Sequence, residues 1–165
     1  MTKVYIASRG FHRFLRLTLG NFLKIRLNLN SDTKDIDHLK PPYLVLANHT
    51  NFWDPFLISI FLKEPVHYVT SDRWFRNPLL RILLHLVGGI PKTKFVSDLE
   101  TVKSIIKIKK AHGVVGIFPE GRRTWNGNTV PLIYSTAKLV KTLGIPVVAV
   151  LLKGAYLSCP RWADR

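Results

Sequence analysis

Four short apolar runs in the chain have the length and composition of buried β-strands. They cover residues 43–47, 66–69, 114–118 and 147–152, and three of them are rich in Val and Ile, residues that favour strands. Helical patterns separate them, at residues 56–62, 78–86, 98–110 and 135–143. An alternation of strands and helices predicts a single α/β domain with a largely parallel or mixed sheet covered by helices.

Details of these helices can also be read from the pattern. Asp98 is suited to cap the helix at 98–110, and Leu99, Val102, Ile105 and Ile106 predict its buried face. The helix at 78–86 is apolar almost all round, which predicts that it is buried or faces a membrane. Trp74 and Phe75, flanked by arginines, would suit a lipid headgroup boundary, although ordinary core packing explains them equally well.

The first 31 residues contain no acidic side chain and form a distinct segment. Apolar side chains recur at helical spacing and predict one apolar stripe along the helix: Phe11, Phe14, Leu15, Leu19, Phe22 and Leu23. Most basic side chains of the segment fall outside this stripe, namely Arg9, His12, Arg13 and Arg16. Residues 1–31 are therefore predicted to form a basic amphipathic helix that associates with a membrane surface. The alternative is a helix that packs on its own domain with the basic face in solvent. No apolar run approaches the roughly 20 residues of a membrane-spanning helix.

Composition narrows the classes of partner. Hydrophobic residues make up 47% of the 165 residues, so the chain is not of the disordered class, and the formal net charge is +15. Such a basic surface indicates an anionic partner, whether nucleic acid, anionic lipid or a phosphorylated substrate. The single cysteine, Cys159, excludes an internal disulfide and fits a reducing compartment.

The first stretch with candidate chemistry is Asn48-His49-Thr50-Asn51-Phe52-Trp53-Asp54-Pro55, which directly follows a predicted strand. Asp54 suits the N-cap of the next helix and Pro55 its first position. On one straight helix, five residues would splay two side chains by about 140°, but a loop can fold back and bring the Asp54 carboxylate to His49. Such a pair is a general base with its orienting partner. The alternative for these residues alone is a surface histidine next to an ordinary helix start.

The second stretch is Pro119-Glu120-Gly121-Arg122-Arg123-Thr124, which follows another predicted strand. Gly121 permits a tight turn or close approach to a ligand. Two arginines then lie at the end of a strand, where ligands of open α/β sheets bind, and arginine is well shaped for bidentate contact with phosphate. In the preceding stretch 88–94, glycines and lysines including Lys94 could hold a phosphate, with a solvated loop as the alternative. Histidine and cysteine positions have no zinc-site spacing, so no metal is expected.

Four blocks, in order and spacing, resemble the glycerolipid acyltransferase family, the 1-acyl-glycerol-3-phosphate acyltransferases. Asn48-His49 with Asp54 is similar to the family's H-x-x-x-x-D motif, and Phe118 to Thr124 is similar to its F-P-E-G-T-R-S motif. Residues 89–91 and 145–148 resemble the second and fourth blocks. Two positions depart from the family: Arg122 replaces a threonine, and Lys94 replaces an arginine and so loses the planar fork of a guanidinium group.

The resemblance implies an O-acyltransferase that moves a fatty acyl group from acyl-CoA or acyl-carrier protein to a lysophospholipid hydroxyl, with 1-acyl-glycerol-3-phosphate as the expected acceptor. It implies His49 and Asp54 as catalytic residues, and Glu120, Gly121 and Arg123 as substrate-binding residues. Arg122 and Lys94 are further candidates for substrate binding. The acyl donor enters as a co-substrate, and no other cofactor is expected.

The resemblance also bears on location and boundaries. Residues 32–165 would form the acyltransferase domain, which we expect to be truncated at its C-terminus because the family continues past the equivalent of Arg165. We expect a peripheral membrane protein on the cytoplasmic face of the cell membrane. The rival interpretation is a non-catalytic basic protein that binds anionic lipid or nucleic acid. No nucleic-acid-binding signature is present in the sequence, and nucleic acid is not expected as a partner.

Overall fold

A computed structural model describes residues 4–93 and 99–158. Its helices and strands run, in chain order, α1 (Arg9–Leu15), a π-helical turn (Arg16–Gly20), α2 (Asn21–Arg26), β1 (Leu44–Ala47), α3 (Asp54–Ser59), β2 (Val66–Ser71), α4 (Pro78–Leu86), β3 (Ile90–Lys92), α5 (Leu99–Lys110), β4 (Val114–Ile117), α6 (Tyr134–Leu143), β5 (Val147–Val150) and α7 (Ala155–Ser158). Two 3₁₀ helices, Lys34–Ile36 and Asp72–Arg76, lie in the connections.

The five strands form one parallel sheet in the order β3-β2-β4-β1-β5. Both faces of the sheet are covered, which explains why β1 and β4 read as continuous apolar runs. One face packs a cluster around Val45, Ile58 and Val148, and the other packs a cluster around Leu44, Ile105 and Leu143. The predicted α/β architecture is thereby confirmed, and of the two predicted alternatives the sheet is the parallel one.

Adjacent central strands place the two candidate stretches side by side. β1 pairs with β4 from Leu44 opposite Val115 to Leu46 opposite Ile117. The stretch that begins at Asn48 follows the carboxyl end of β1, and the stretch that begins at Pro119 follows the carboxyl end of β4. In a parallel sheet the carboxyl ends of neighbouring strands lie on the same side of the sheet, so the two loops lie next to each other.

Local signals set one boundary of each of two predicted helices. The Asn77 side chain accepts hydrogen bonds from the backbone N–H groups of Leu79 and Leu80 and caps α4. Gly144 ends α6 in the left-handed conformation, with φ of 55°.

The structure corrects or narrows four details of the sequence-based prediction. Asp54 is the first residue of α3 and not its N-cap, because its carboxylate turns back to the preceding loop. The residues 90–92, predicted as loop, form the edge strand β3 through pairing with β2. Of the two alternatives predicted for α4, burial in the chain is excluded because Leu79, Ile82 and Leu86 are exposed, and a membrane-facing position stays a prediction. Asp98, the predicted cap of α5, lies outside the described residues.

The fourth correction concerns the buried face of α5. It consists of Thr101, Ser104, Ile105 and Ile108, whereas Leu99 is exposed. The Thr101 hydroxyl donates to the Pro91 carbonyl oxygen and the Ser104 hydroxyl to the Glu100 carbonyl oxygen. Small hydroxyl side chains can be buried at low cost when they are paired in this way, and the apolar pattern alone does not reveal them.

The N-terminal helical run packs on the domain and exposes a second apolar row, so the single predicted stripe is wrong. One row, Phe11, Leu15, Leu19 and Leu23, faces a groove of the domain, while a second row, Phe14, Leu17, Phe22 and Ile25, is exposed. The π-helical turn changes the angular spacing between these residues. Basic side chains are also partly engaged: His12 Nε2 lies 3.1 Å from the Ser59 carbonyl oxygen, and Arg9 pairs with Glu64.

None of the helices within residues 4–93 and 99–158 combines the length and the apolar character that crossing a bilayer would require.

Candidate active site

His49 and Asp54 are in direct contact. His49 Nδ1 lies 2.8 Å from Asp54 Oδ2, and Asp54 is fully buried while the His49 side chain keeps a fifth of its surface exposed. A carboxylate can only accept hydrogen bonds, so Nδ1 carries the proton. The tautomer with Nδ1–H leaves Nε2 as the ring nitrogen that can accept a proton. The predicted folding back of the loop is therefore present.

The loop backbone holds the Asp54 carboxylate in place. Oδ2 also accepts hydrogen bonds from the backbone N–H groups of Thr50, at 2.5 Å, and Asn51, at 2.9 Å. Oδ1 accepts from the Thr50 hydroxyl at 2.9 Å. A buried carboxylate that accepts this many hydrogen bonds has a fixed orientation. Because Asp54 begins a helix, the positive end of that helix further favours its negative charge.

The His49 ring is oriented by aromatic stacking as well. Phe118 stacks on the imidazole with ring centroids 4.1 Å apart, and Tyr68 stacks on Phe118 with ring centroids 5.7 Å apart. Burial raises the pKa of the Tyr68 hydroxyl well above its usual range, so this ring stays neutral. The imidazole is thus held by one hydrogen bond at its edge and by an apolar surface at its face.

The loop 119–124 is hydrogen bonded to the backbone of His49. The His49 N–H donates to Glu120 Oε1 at 3.4 Å, and the Thr124 N–H donates to the His49 carbonyl oxygen at 2.9 Å. Burial raises the pKa of the Glu120 carboxyl, while the hydrogen bond from the His49 N–H opposes this shift. Glu120 therefore joins the two motif loops.

The remaining predicted binding residues differ in their surroundings. Gly121 has φ of 64°, and a Cβ atom there would collide with Ile133 Cδ1, so the turn requires glycine. Arg122 is exposed and Arg123 is half-buried. Lys94 lies outside the described residues. The structure brings His49, Asp54, Glu120 and the loop with both arginines together.

An apolar groove of about 340 Å³ starts near this site. The loop residues Phe52 and Trp53 line it together with the N-terminal helical run, α3 and α4; further lining residues include Phe11, Leu15, Leu23, Phe56, Leu80 and Leu84. Tyr68 lines the groove and also stacks on Phe118, which links the groove to His49. The sequence did not predict this groove, because its walls come from several separate elements.

Residues that support His49 were also missed in the sequence. Thr50 and Thr124, both buried, contribute the hydrogen bonds described above. Their positions inside the two motifs were a signal that they contribute to the site. The partners of Asn48 and Asn51, about 104 residues away in sequence, had no signal of this kind.

Comparison with known proteins gives the family. The sequence model of the Acyltransferase family matches residues 26–153. The chain is 23% identical over 161 residues to the chloroplastic 1-acyl-sn-glycerol-3-phosphate acyltransferase of Brassica napus, with 94% of this chain and 46% of that protein covered. It is 24% identical over 140 residues to the 1-acyl-sn-glycerol-3-phosphate acyltransferase of Bacillus subtilis, with 82% and 69% covered. The chain thus spans about half the length of the plant relative.

A solved structure has the same fold. The crystal structure of the 1-acyl-sn-glycerophosphate (LPA) acyltransferase from Thermotoga maritima superposes with a TM-score of 0.74 at 18% identity, over 94% of this chain and 65% of that one. The family match includes both motif loops and all five strands. With its motifs side by side at the carboxyl ends of β1 and β4, this chain belongs to the Acyltransferase family.

Proposed function

We propose that this chain transfers a fatty acyl group from a thioester donor, acyl-CoA or acyl-carrier protein, to the free hydroxyl of a lysophospholipid. The expected acceptor is 1-acyl-glycerol-3-phosphate and the product phosphatidate, the reaction named in the relatives from Brassica napus and Bacillus subtilis. The observation that carries the proposal is the 2.8 Å contact of His49 with buried Asp54, directly beside the loop of Arg122 and Arg123.

The proposed reaction uses His49 as general base and then as general acid. Nε2 takes the proton of the acceptor hydroxyl as the hydroxyl oxygen attacks the thioester carbonyl carbon. The C–S bond breaks, and the leaving thiolate takes the proton back from His49, so the products are an ester and a free thiol. Asp54 keeps Nδ1 protonated and stabilises the imidazolium that forms in between. No covalent acyl-enzyme and no cofactor besides the acyl donor is required.

The acceptor's phosphate is proposed to bind at the loop 119–124. Arg123 is the leading candidate because it is half-buried and directly precedes Thr124, which is hydrogen bonded to His49. Arg122 and Lys94 are proposed as weaker contributors. Glu120 and Gly121 act by shaping the turn, since the Glu120 side chain is committed to the His49 N–H and Gly121 has no side chain. The formal charge of +15 favours an anionic acceptor.

The apolar groove is proposed to hold a fatty acyl chain. Its lining is dominated by Leu, Phe and Trp side chains, and it starts at Phe52, three residues after His49. Each methylene group transferred from water to such a groove contributes about 0.8 kcal/mol.

A membrane surface is proposed as the place of action. The exposed row of Phe14, Leu17, Phe22 and Ile25 lies on the helical run that lines one wall of the groove, and α4 with exposed Leu79 lines another. Lys24 and Arg26 lie on the same helical run. Apolar side chains accompanied by basic ones are typical of helices that lie in a bilayer interface. A peripheral location on the cytoplasmic face is the expectation for such a protein.

The test measures release of thiol from acyl-CoA on vesicles, with and without lysophosphatidate. It compares the intact chain with His49→Ala and with the control His38→Ala, which changes an exposed histidine. We expect release that depends on the acceptor, is lost in His49→Ala and persists in His38→Ala. Release that persists in His49→Ala would contradict the mechanism. No turnover with acyl-CoA or acyl-carrier protein, combined with vesicle or nucleic-acid binding, would favour the non-catalytic alternative.

A further inference from the structure

The loop that carries His49 is hydrogen bonded to a segment more than 100 residues away. Asn48 Nδ2 donates to the Leu152 carbonyl oxygen at 3.0 Å, and Asn48 Oδ1 accepts from the Leu152 N–H at 2.7 Å. β1 and β5 pair up to Ala47 opposite Val150. The Asn48 amide therefore extends the pairing of these strands with a side chain in place of a backbone, and fixes the residue immediately before His49.

Asn51 makes the second connection. Its side chain is fully buried, and Nδ2 donates to the Ala155 carbonyl oxygen at 2.6 Å and to the Ser158 hydroxyl at 3.1 Å. Its Oδ1 accepts from the Trp53 N–H at 2.6 Å. Its own backbone N–H donates to Asp54 Oδ2, the oxygen that binds His49 Nδ1. A shift of Asn51 would thus move both the carboxylate and the loop.

We propose that Asn51, together with Asn48, is a positioning residue for His49: the two amides fasten the loop 48–53 to residues 152–158 and thereby set the geometry between His49 and Asp54. This inference rests on the proposed acyl transfer. The physical reason is that a general base must be held within a fraction of an ångström, and a loop with two buried or half-buried side-chain anchors has few alternative positions. Both amide groups are engaged by other groups of the protein, so their proposed role is exerted through His49.

Residues 152–158 also contact the residues that directly follow the second motif loop. The Tyr156 hydroxyl donates to the Trp125 carbonyl oxygen at 2.8 Å, and Gly127 lies against the Tyr156 ring. Trp125 directly follows Thr124, which binds the His49 carbonyl oxygen. The segment after β5 is therefore connected to both sides of the site, which supports a positioning role.

The test compares Asn51→Asp with the matched control Asn77→Asp. Asn51→Asp keeps an oxygen for the Trp53 N–H but replaces the N–H₂ donor with an oxygen facing the Ala155 carbonyl, so the connection to residues 152–158 is lost. Asn77 uses its side-chain oxygen to cap α4, and aspartate serves as an equally good cap. Asn77→Asp therefore makes the same chemical change as Asn51→Asp, at a position outside the site. Asn48→Ala is the second variant, because Asn48 is only half-buried and its loss endangers folding less.

The readout is the imidazole Nδ1–H signal in proton NMR of histidine-labelled protein. His49 Nδ1–H binds Asp54, and His67 Nδ1–H binds the Val114 carbonyl oxygen in the core and serves as an internal reference for the fold. We expect Asn51→Asp and Asn48→Ala to speed exchange of the His49 Nδ1 proton with water by roughly tenfold and to leave the exchange rate of the His67 proton unchanged. Both variants should lower kcat by roughly tenfold, with KM for lysophosphatidate nearly unchanged. Asn77→Asp should change none of these.

Two outcomes would overturn the proposal. If both imidazole protons exchange faster to the same extent in both variants, Asn51 and Asn48 stabilise the whole domain and do not position His49. If the His49 proton is unaffected, the amides do not set the geometry between His49 and Asp54. Because the NMR signal does not depend on turnover, lack of activity in the intact chain would contradict the proposed function while the positioning of His49 is still measured.

Discussion

His49 Nδ1 and Asp54 Oδ2 are 2.8 Å apart although the two residues lie on different elements, a loop and the first turn of a helix. The contact depends on a carboxylate that turns away from its own helix and towards the N–H groups of Thr50 and Asn51. The same oxygen thereby orients the imidazole and closes the loop. Any change to Asp54 is expected to act on both activity and stability.

Asp54→Asn tests this double role. Asparagine lacks the negative charge that stabilises the imidazolium. Its N–H₂ would face the donors His49 Nδ1–H, Thr50 N–H and Asn51 N–H if it replaced Oδ2, and it would require the Thr50 hydroxyl to turn and accept if it replaced Oδ1. We expect acceptor-dependent thiol release to fall about 10²- to 10⁴-fold, and the free energy of unfolding to fall by about 1–3 kcal/mol. Thiol-release kinetics and thermal unfolding measure the two effects. Asp35→Asn, at an exposed position, is the control, and an active Asp54→Asn enzyme would contradict the assignment.

The two arginines should differ in their effect on the acceptor. Arg123→Lys keeps the charge but loses the planar fork, and we expect KM for lysophosphatidate to rise about tenfold. Arg122→Lys, at an exposed position, should change KM by less than about twofold. Steady-state kinetics at varied lysophosphatidate concentration measure KM for both variants. Equal effects of both substitutions would indicate that exposure does not decide which arginine binds the phosphate.

Gly121→Ala should damage the turn of the second motif. The positive φ disfavours alanine by about 1–2 kcal/mol, and the added Cβ would also collide with Ile133 Cδ1. Gly144→Ala is a matched control, since Gly144 also has a positive φ but a Cβ atom added there would have no neighbouring atom within 4 Å. We expect Gly121→Ala to lower the melting temperature about as much as Gly144→Ala, because rotation of the exposed Ile133 side chain can relieve the overlap, but to reduce activity as well, because the turn lies beside His49. Equal destabilisation with full activity would contradict a special role of this turn.

Membrane association should depend on the exposed apolar side chains of the N-terminal helical run and of α4. Ile25 and Leu79 are 84% and 78% exposed, and replacing either with glutamate places a charge where an apolar contact with lipid is proposed. We expect Ile25→Glu and Leu79→Glu to lower partitioning onto anionic vesicles about tenfold each. Leu132→Glu, at another exposed leucine, should leave partitioning unchanged. Vesicle co-sedimentation measures this, and unaltered binding of both variants would place the membrane contact elsewhere.

His67 should make stability fall as the solution becomes acidic. It is buried in β2, where Nδ1 donates to the Val114 carbonyl oxygen and Nε2 accepts from the Ala7 N–H. Burial lowers the pKa of His67 below its usual 6.5. Below pH 6.5 the unfolded chain therefore binds a proton that the folded chain does not, and the free energy of unfolding falls with pH by up to about 1.4 kcal/mol per unit until the folded pKa is reached.

His67→Gln removes this titration. We expect the variant to be less stable at neutral pH but to lose less stability between pH 6.5 and 5 than the intact chain. A residual slope is expected from His12, whose pKa is also lowered by burial. Denaturant unfolding at a series of pH values provides the comparison, with exposed His38→Gln as the control. An unchanged slope in His67→Gln would show that this histidine does not titrate as inferred.

The order of β1, β2, β4 and β5 with the helices between them, and the location of both motifs, could be predicted from the sequence, whereas β3 could not. The determining signals act over a few residues: runs of apolar side chains for β1 and β4, Pro55 in the first turn of α3, the Asn77 cap and the left-handed Gly144. The proximity of His49 and Asp54 could also be predicted, because a loop of this length can fold back on itself.

Only the tertiary structure decided which distant residues meet. The neighbouring positions of β1, β4 and β5 bring the loop 119–124 and residues 152–158 to His49, and strand order depends on how separate elements pack and not on local pattern. The same holds for the groove built from several elements, the buried hydroxyl groups of α5 and the second apolar row of the N-terminal helical run. Side-chain burial is a property of the assembled fold, and a helix that could face a membrane, its own domain or both has the same sequence in each case.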